Sequence, residues 1–143
     1  MSQDICPQDS PSRASPATVI VVEDSEVFRR FICSSLRNKP DLQIICEASD
    51  GREGVQKCEE LQPDLVILDI GLPTLNGIEA ARRIRQLSPR SRILFLSQET
   101  SPDVIEAALG TGALGFVGKS SAAVELISAV EAVLRNEQLI RIA

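Results

Sequence analysis

The 143-residue sequence predicts an α/β fold, a doubly wound parallel sheet of five strands, on three observations. Short apolar runs alternate with stretches of helical periodicity, most of the runs are continuous as in strands covered on both faces, and turn or capping residues punctuate the junctions. Right-handed crossovers then lay helices on both faces and put any ligand crevice outside the carboxyl ends of the strands.

The strands are expected at Val19–Glu23, Gln43–Ala48, Leu65–Asp69, Ile93–Ser97 and Leu114–Val117. Val27, Phe28, Phe31, Ile32, Ser35 and Leu36 give the first helix one apolar face, with Ser25 as its cap and Pro40 beyond its end. Ile78, Ala81, Ile84 and Leu87 do the same for the third, which opens at Asn76-Gly77. Ser101-Pro102 starts the fourth and Gly110 to Gly112 ends it. The fifth, Ser121 to about Asn136, carries a stripe of Val124, Ile127, Val130 and Leu134; Leu126 and Val133 fall off it, as extra core contacts or as a dimer surface. Five strands and five helices are expected, within one domain over residues 17–136. Residues 1–16, rich in Pro and Ser, read as a disordered tail, and 137–143 as the start of a linker.

Composition narrows the chemistry. With 43% hydrophobic residues, 3% aromatic and no Trp or Tyr, the core is aliphatic and base-stacking platforms are disfavoured. A net charge of -5 argues against binding a nucleic-acid backbone, which needs a positive surface. Cys6, Cys33, Cys46 and Cys58 form no CxxC pair, and the sequence has no His, so the cysteines read as small buried hydrophobes in a reducing cytosol. No signal core or membrane span is evident, and a soluble, cytoplasmic protein is expected. Arg82, Arg83, Arg85, Arg90 and Arg92 read as a solvated helix face and its margin.

Four of the five strand ends carry polar residues: Glu23-Asp24, Asp69, Ser97 and, just past the fifth strand, Lys119. Taken singly, a strand-end acid usually caps a helix, a Ser forms a turn and a Lys sits on the surface. Their joint occurrence is what points to a site. Three crowded carboxylates repel one another unless a cation joins them, and an all-oxygen donor set favours Mg2+, which commonly serves a phosphoryl group. Lys119 and Ser97 suit phosphoryl oxygens, and Asp69 suits a nucleophile forming an aspartyl phosphate.

These residues closely resemble the receiver domain of two-component response regulators. "VIVVEDSEVFRRFI" is similar to the first strand with its acidic pair, "PDLVILDIGLPTLNGIEAARRIR" to the phosphoacceptor strand and loop, "RILFLS" to the strand ending in Ser or Thr, and "GALGFVGK" to the segment with the switch aromatic and the lysine. The resemblance implies a (βα)5, flavodoxin-like fold. It also implies Asp69 as phosphoacceptor, Asp24 and Glu23 as acids acting on Mg2+, the Gly71 carbonyl as a further metal ligand, Lys119 on a phosphoryl oxygen, and Ser97 with Phe116 as the switch pair. A histidine kinase would be the donor, the domain would slowly hydrolyse its own aspartyl phosphate at a rate tuned around Gly71 and Glu99, and phosphorylation could drive homodimerisation. Ser120 after Lys119 resembles receivers with a LuxR-type helix-turn-helix output domain, so transcription is the expected output and DNA would be bound only through an output domain absent from this chain.

Rival readings rest on single residues. A haloacid-dehalogenase-like phosphatase wants a second acid two residues after the nucleophile, where Gly71 stands. A flavodoxin-like cofactor binder wants a phosphate-cradling loop, where "VEDSEVF" offers acids. Gln98, where many receivers carry a small residue, favours a third: a receiver-like interaction module that works without phosphorylation.

Overall fold

The computed structural model describes residues 15–142; of the tail expected over residues 1–16, residues 1–14 lie outside the described residues. In chain order the elements are β1 (Ala17–Val22), α1 (Glu26–Arg37), β2 (Leu42–Ala48), α2 (Gly51–Leu61), β3 (Leu65–Asp69), α3 (Gly77–Leu87), β4 (Arg92–Ser97), α4 (Pro102–Leu109), β5 (Gly115–Gly118), α5 (Ala122–Leu134) and β6 (Leu139–Arg141). A single 3₁₀ turn, Lys119–Ser121, leads from β5 into α5. The sheet order is β2-β1-β3-β4-β5-β6, and every neighbouring pair is parallel.

Alternate strand residues serve opposite faces, and this divides the core in two. Ile20, Val22, Val66, Leu68 and Phe95 meet Cys58, Ala80, Ala81, Ile84 and Ala108 of α2, α3 and α4. Val19, Val21, Leu65, Ile67, Leu94 and Leu96 meet Ile32 and Leu36 of α1 and Leu126, Ala129 and Val130 of α5. Each buried large aliphatic side chain contributes about 1.5–3 kcal/mol relative to exposure, so β3, buried along its whole length, is anchored firmly under the residues at its tip.

Every helix that follows a strand-end loop directly begins on a side-chain cap. Ser25 Oγ accepts from Phe28 N (3.2 Å), Asp50 Oδ1 from Glu53 N (2.8 Å), Asn76 Oδ1 from Glu79 N (3.0 Å) and Ser101 Oγ from Val104 N (3.4 Å). The caps expected at Ser25, Asn76 and Ser101 are therefore present, each worth about 1 kcal/mol.

The structure departs from expectation in three places. The sheet has six strands rather than five among the described residues: Leu139–Arg141, expected to belong to a linker, pairs with β5, and Arg141 Nε reaches Glu125 Oε1 of α5 at 3.3 Å. The stripe of α5 is also rotated. Leu126 and Val133 are core residues, whereas Val124 is 80% exposed, because Ala122, Ala129 and Ala132 complete the buried face. Two residues expected on apolar helix faces, Val27 of α1 and Leu87 of α3, are exposed, at 79% and 40%. Cys33 and Cys58 are buried and Cys46 half-buried; burial pushes the Cys33 thiol up to about 11 and the Cys58 thiol up to about 12. Cys33 and Cys58 are the inert, core-filling cysteines expected; Cys46 is only partly so, and Cys6 lies outside the described residues.

Candidate functional site

β1 and β3 run side by side through the centre of the sheet, and their last residues deliver carboxylates to one point. Asp69 ends β3 and is 6% exposed; Glu23, one residue past β1, is 1% exposed and still belongs to the ladder through its N–H, which donates to Ala48 O at 3.0 Å. Asp24 follows, exposed at the rim. Oxygens of Glu23, Asp24 and Asp69 lie within 4.8 Å of one another.

β5 and the turn after it bring the opposing charge. Lys119 Nζ stands 2.9 Å from Glu23 Oε1 and 3.5 Å from Asp69 Oδ2. Its ammonium also lies 4.7 Å from the centre of the Phe28 ring. Glu23 Oε2 accepts from Ser25 N at 3.0 Å, while the buried Oε1 has no hydrogen bond of normal geometry and meets the lysine as an ion pair. Asp69 Oδ1 accepts a long bond, 3.4 Å, from Gly71 N.

The surrounding loops hold these groups still. Arg29, from α1, donates to the main-chain oxygen of Glu23 (2.7 Å) and pairs with Glu47 of β2 (3.4 Å), so the turn carrying the two acids is fastened from behind. Below Asp69, α3 starts so close that a Cβ on Gly77 would lie 2.0 Å from the Asp69 carbonyl oxygen; only a residue without a side chain fits. The loop between Asp69 and α3 is tied to the start of α2 by Thr74 Oγ1 donating to Asp50 Oδ1 (3.2 Å) and Gly51 N donating to Pro73 O (3.3 Å). Thr74 has φ 63°, a left-handed value that is costly for a β-branched residue and marks a loop held in one shape.

Electrostatically the site is under tension. Burial raises the carboxyl of Glu23 above its ordinary value, opposed by the nearby Lys119 ammonium and the Ser25 N–H and assisted by the negative Asp69. Burial likewise raises Asp69, opposed chiefly by Lys119 and assisted by Asp24. Two carboxyls short of positive charge, a buried oxygen without a hydrogen bond and a third acid at the rim form an all-oxygen donor set that fits a hard divalent cation. Glu23, Asp24 and Asp69 could hold one, and Gly71 lines the same cleft.

That cleft, about 380 Å³, is also lined by Ser97, Gln98 and Lys119. Ser97, 2% exposed, donates from Oγ to Glu99 O (2.7 Å) and accepts from Glu99 N (3.1 Å), so its hydroxyl is engaged with its own loop. Phe116 is fully buried among the side chains under α4 and pairs in register with Phe95; it lies behind the cleft and does not line it. Thus six of the seven residues singled out in the sequence share one cleft. Phe28, Arg29 and the Asp50–Thr74 tie were not anticipated as parts of it; Phe28 was counted only toward an apolar helix face. One signal was available for Arg29: helical side chains lean toward the amino terminus, which aims a residue of the first turns back over the preceding strand end.

The response regulator receiver domain profile matches residues 19–131. The chain belongs to the response regulator receiver family. This receiver is 35% identical over 120 residues to the transcriptional regulatory protein LiaR of Bacillus subtilis, covering 83% of this chain and 56% of that protein. It is 30% identical over 129 residues to the nitrate/nitrite response regulator protein NarL of Escherichia coli K12, covering 90% of this chain and 60% of that protein. Among solved structures, a LuxR-family two-component response regulator from Aurantimonas sp. superposes with a TM-score of 0.82 at 34% identity, covering 87% of this chain and 89% of the other. The response regulator domain of Thermotoga maritima CheB superposes with a TM-score of 0.77 at 30% identity, covering 84% and 97%. The receiver therefore spans somewhat over half the length of these two curated relatives. Among the described residues no helix is long and apolar enough to cross a membrane.

Proposed function

We propose that this receiver is a phosphorylation-dependent switch of a two-component system, with Asp69 as phosphoacceptor, Mg2+ as its metal and a histidine kinase as donor. The observation that carries the reading is the placement of the Lys119 ammonium 2.9 Å from Glu23 and 3.5 Å from Asp69 inside a cleft also lined by Asp24 and Glu99.

An Asp69 carboxylate oxygen attacks the phosphorus of the donor's phosphohistidine; the new O–P bond forms as the N–P bond breaks, and the leaving imidazole takes up a proton. When bound, Mg2+ supplies positive charge against the phosphoryl oxygens. Glu23, Asp24 and Asp69 would hold it, with the carbonyl of Gly71. Lys119 exchanges its contact with Asp69 for a phosphoryl oxygen, and Ser97 gives up its bond to Glu99 O to donate to another. Phe116 turns into the space this leaves, which biases the surface of α4, β5 and α5 between two states. Water later attacks the acyl phosphate, with Gly71, Gln98 and Glu99 at the rim setting its access.

LiaR is named as a transcriptional regulatory protein and NarL as a response regulator, and both are longer than this chain. Similarity to LiaR and to the LuxR-family regulator from Aurantimonas supports a transcriptional output, on this proposal through a LuxR-type DNA-binding domain following residues 137–143; homodimerisation on phosphorylation and a cytoplasmic setting belong to the same proposal. A second reading, an interaction module independent of phosphorylation, is favoured by Gln98, exposed at the mouth of the cleft.

Intact-protein mass spectrometry after incubation with acetyl phosphate and Mg2+ separates the two. One phosphoryl adduct is expected on the native chain, and none on Asp69→Asn or in EDTA. Absence of an adduct under conditions that label a known receiver would favour the interaction module.

A further inference from the structure

Lys119 is asked to keep one position while facing two carboxylates and, on the reading above, to meet a phosphoryl oxygen. Its side chain is 16% exposed and rises from a three-residue 3₁₀ turn on a stem of four rotatable bonds. An ammonium has three N–H groups. Glu23 and Asp69 take two directions, at 2.9 and 3.5 Å, and the face of the Phe28 ring, 4.7 Å away, takes the next.

The ring is itself well fixed. Phe28 N donates to the Ser25 cap at 3.2 Å, which ties its backbone to the turn bearing Glu23 and Asp24. Its ring lies 5.3 Å from that of Phe31 at 43°, and the side chain is half-buried against the core between α1 and the sheet. The negative face of an aromatic ring within about 6 Å attracts an ammonium, more strongly as water is excluded.

We propose that Phe28 is a positioning residue for Lys119: its ring face holds the ammonium within the cleft, in reach of Glu23 and Asp69, and so sets the efficiency of phosphoryl transfer. The consequence for transfer rests on the phosphoacceptor reading; the effect on Lys119 does not. An aliphatic residue of similar bulk fills the space without the attraction, leaving the lysine free to sample solvent. A tyrosine keeps it.

The sequence has three lysines, Lys39, Lys57 and Lys119, so lysine labelled with 13C gives three resolvable Hε–Cε signals. Ring current from Phe28 should move the Lys119 Hε signal upfield of the other two in the native chain and in Phe28→Tyr, and Phe28→Leu should return it to their position. Labelling by acetyl phosphate at equal Mg2+ should fall about two- to fivefold in Phe28→Leu and recover in Phe28→Tyr. A Lys119 signal in the native chain coincident with those of Lys39 and Lys57, or unmoved in Phe28→Leu, overturns the proposal. Should Phe28→Leu fail to give a dispersed amide spectrum, the native and tyrosine chains still decide it. If no chain is labelled at all, the phosphoacceptor reading fails while the lysine signals still report whether the ring holds Lys119.

Discussion

The two ends of the sheet are built on opposite principles. At the amino end, Asp64 Oδ2 accepts from the N–H (2.8 Å) and hydroxyl (3.2 Å) of Thr18, whose Oγ1 accepts in turn from Asp64 N at 3.0 Å. Nearby, Ser91 Oγ donates to Pro63 O and contacts Ser88 Oγ, both at 2.6 Å, with both serines 1% exposed. Buried polar groups here are satisfied in closed clips. At the carboxyl end, buried carboxylates crowd together, one oxygen lacks a hydrogen bond, and burial raises two acids. The depression at the amino end is the roomier, about 480 Å³ against 380 Å³, although Arg85, Arg90 and Arg92 line it without a buried acid cluster. On the reading proposed above, the site is marked by its crowded, buried acids and not by its size.

The largest expected effect tests how tightly the carboxyl end is built. Gly77→Ala places a Cβ against the Asp69 carbonyl and should cost more than about 3 kcal/mol, with loss of phosphoryl labelling. Gly71→Ala, where a Cβ meets nothing within 4 Å, should stay within about 0.5 kcal/mol in urea denaturation. Equal costs at the two positions would show that the packing against Asp69 is loose.

Ser91→Ala tests the amino end. It strips Pro63 O and Ser88 Oγ of a buried partner and should lower stability by about 1–3 kcal/mol while leaving acetyl phosphate labelling unchanged. A change in labelling would mean that the two ends are coupled.

Asp69→Asn, a smaller effect than either Gly77→Ala or Ser91→Ala, should have the opposite sign. The folded carboxyl of Asp69 is raised above its unfolded value, so its favourable contribution is complete below the unfolded value of about 3.8 and disappears as pH rises through the folded one. At neutral pH in EDTA the ionised group opposes folding, and the neutral amide should stabilise on the order of 1 kcal/mol, raising Tm by about 3 °C. That advantage should shrink as pH falls toward 4. A lower Tm for the variant at pH 7 would show that the pairing with Lys119 outweighs burial.

Much of this was legible in the sequence, for physical reasons. A short continuous apolar run such as Leu65–Leu68, closed by Gly71 and Pro73, suits a strand covered on both faces, and Ser25, Asn76 and Ser101 are residue types that cap helix starts. Parallel strands gather their last residues at one end, which is why Glu23, Asp69, Ser97 and Lys119 could be joined without knowing a distance. The phase of α5 was not legible, because the helix is apolar nearly all round and its buried face is finished by Ala122, Ala129 and Ala132, which weigh little in any periodicity. β6 is three residues long and carries no periodicity of its own; the open edge of β5 makes it a strand. The roles of Phe28 and Arg29 depend on side-chain direction across elements, which spacing does not encode.

The parallel course of β6 has a practical consequence for anyone who adds a reporter to this chain. Both β5 and β6 advance toward the reactive rim, and Ile142 lies beside Gly118, the residue before Lys119: a Cβ on that glycine would be 3.6 Å from the Ile142 Cα. A fluorophore or domain joined just after Ile142 therefore departs within a strand's width of the lysine. One joined just before Ala17 departs from the opposite pole, across the full length of β1. If Asp69 is phosphorylated as proposed, a reporter at the first position is expected to respond and one at the second to leave the reaction undisturbed.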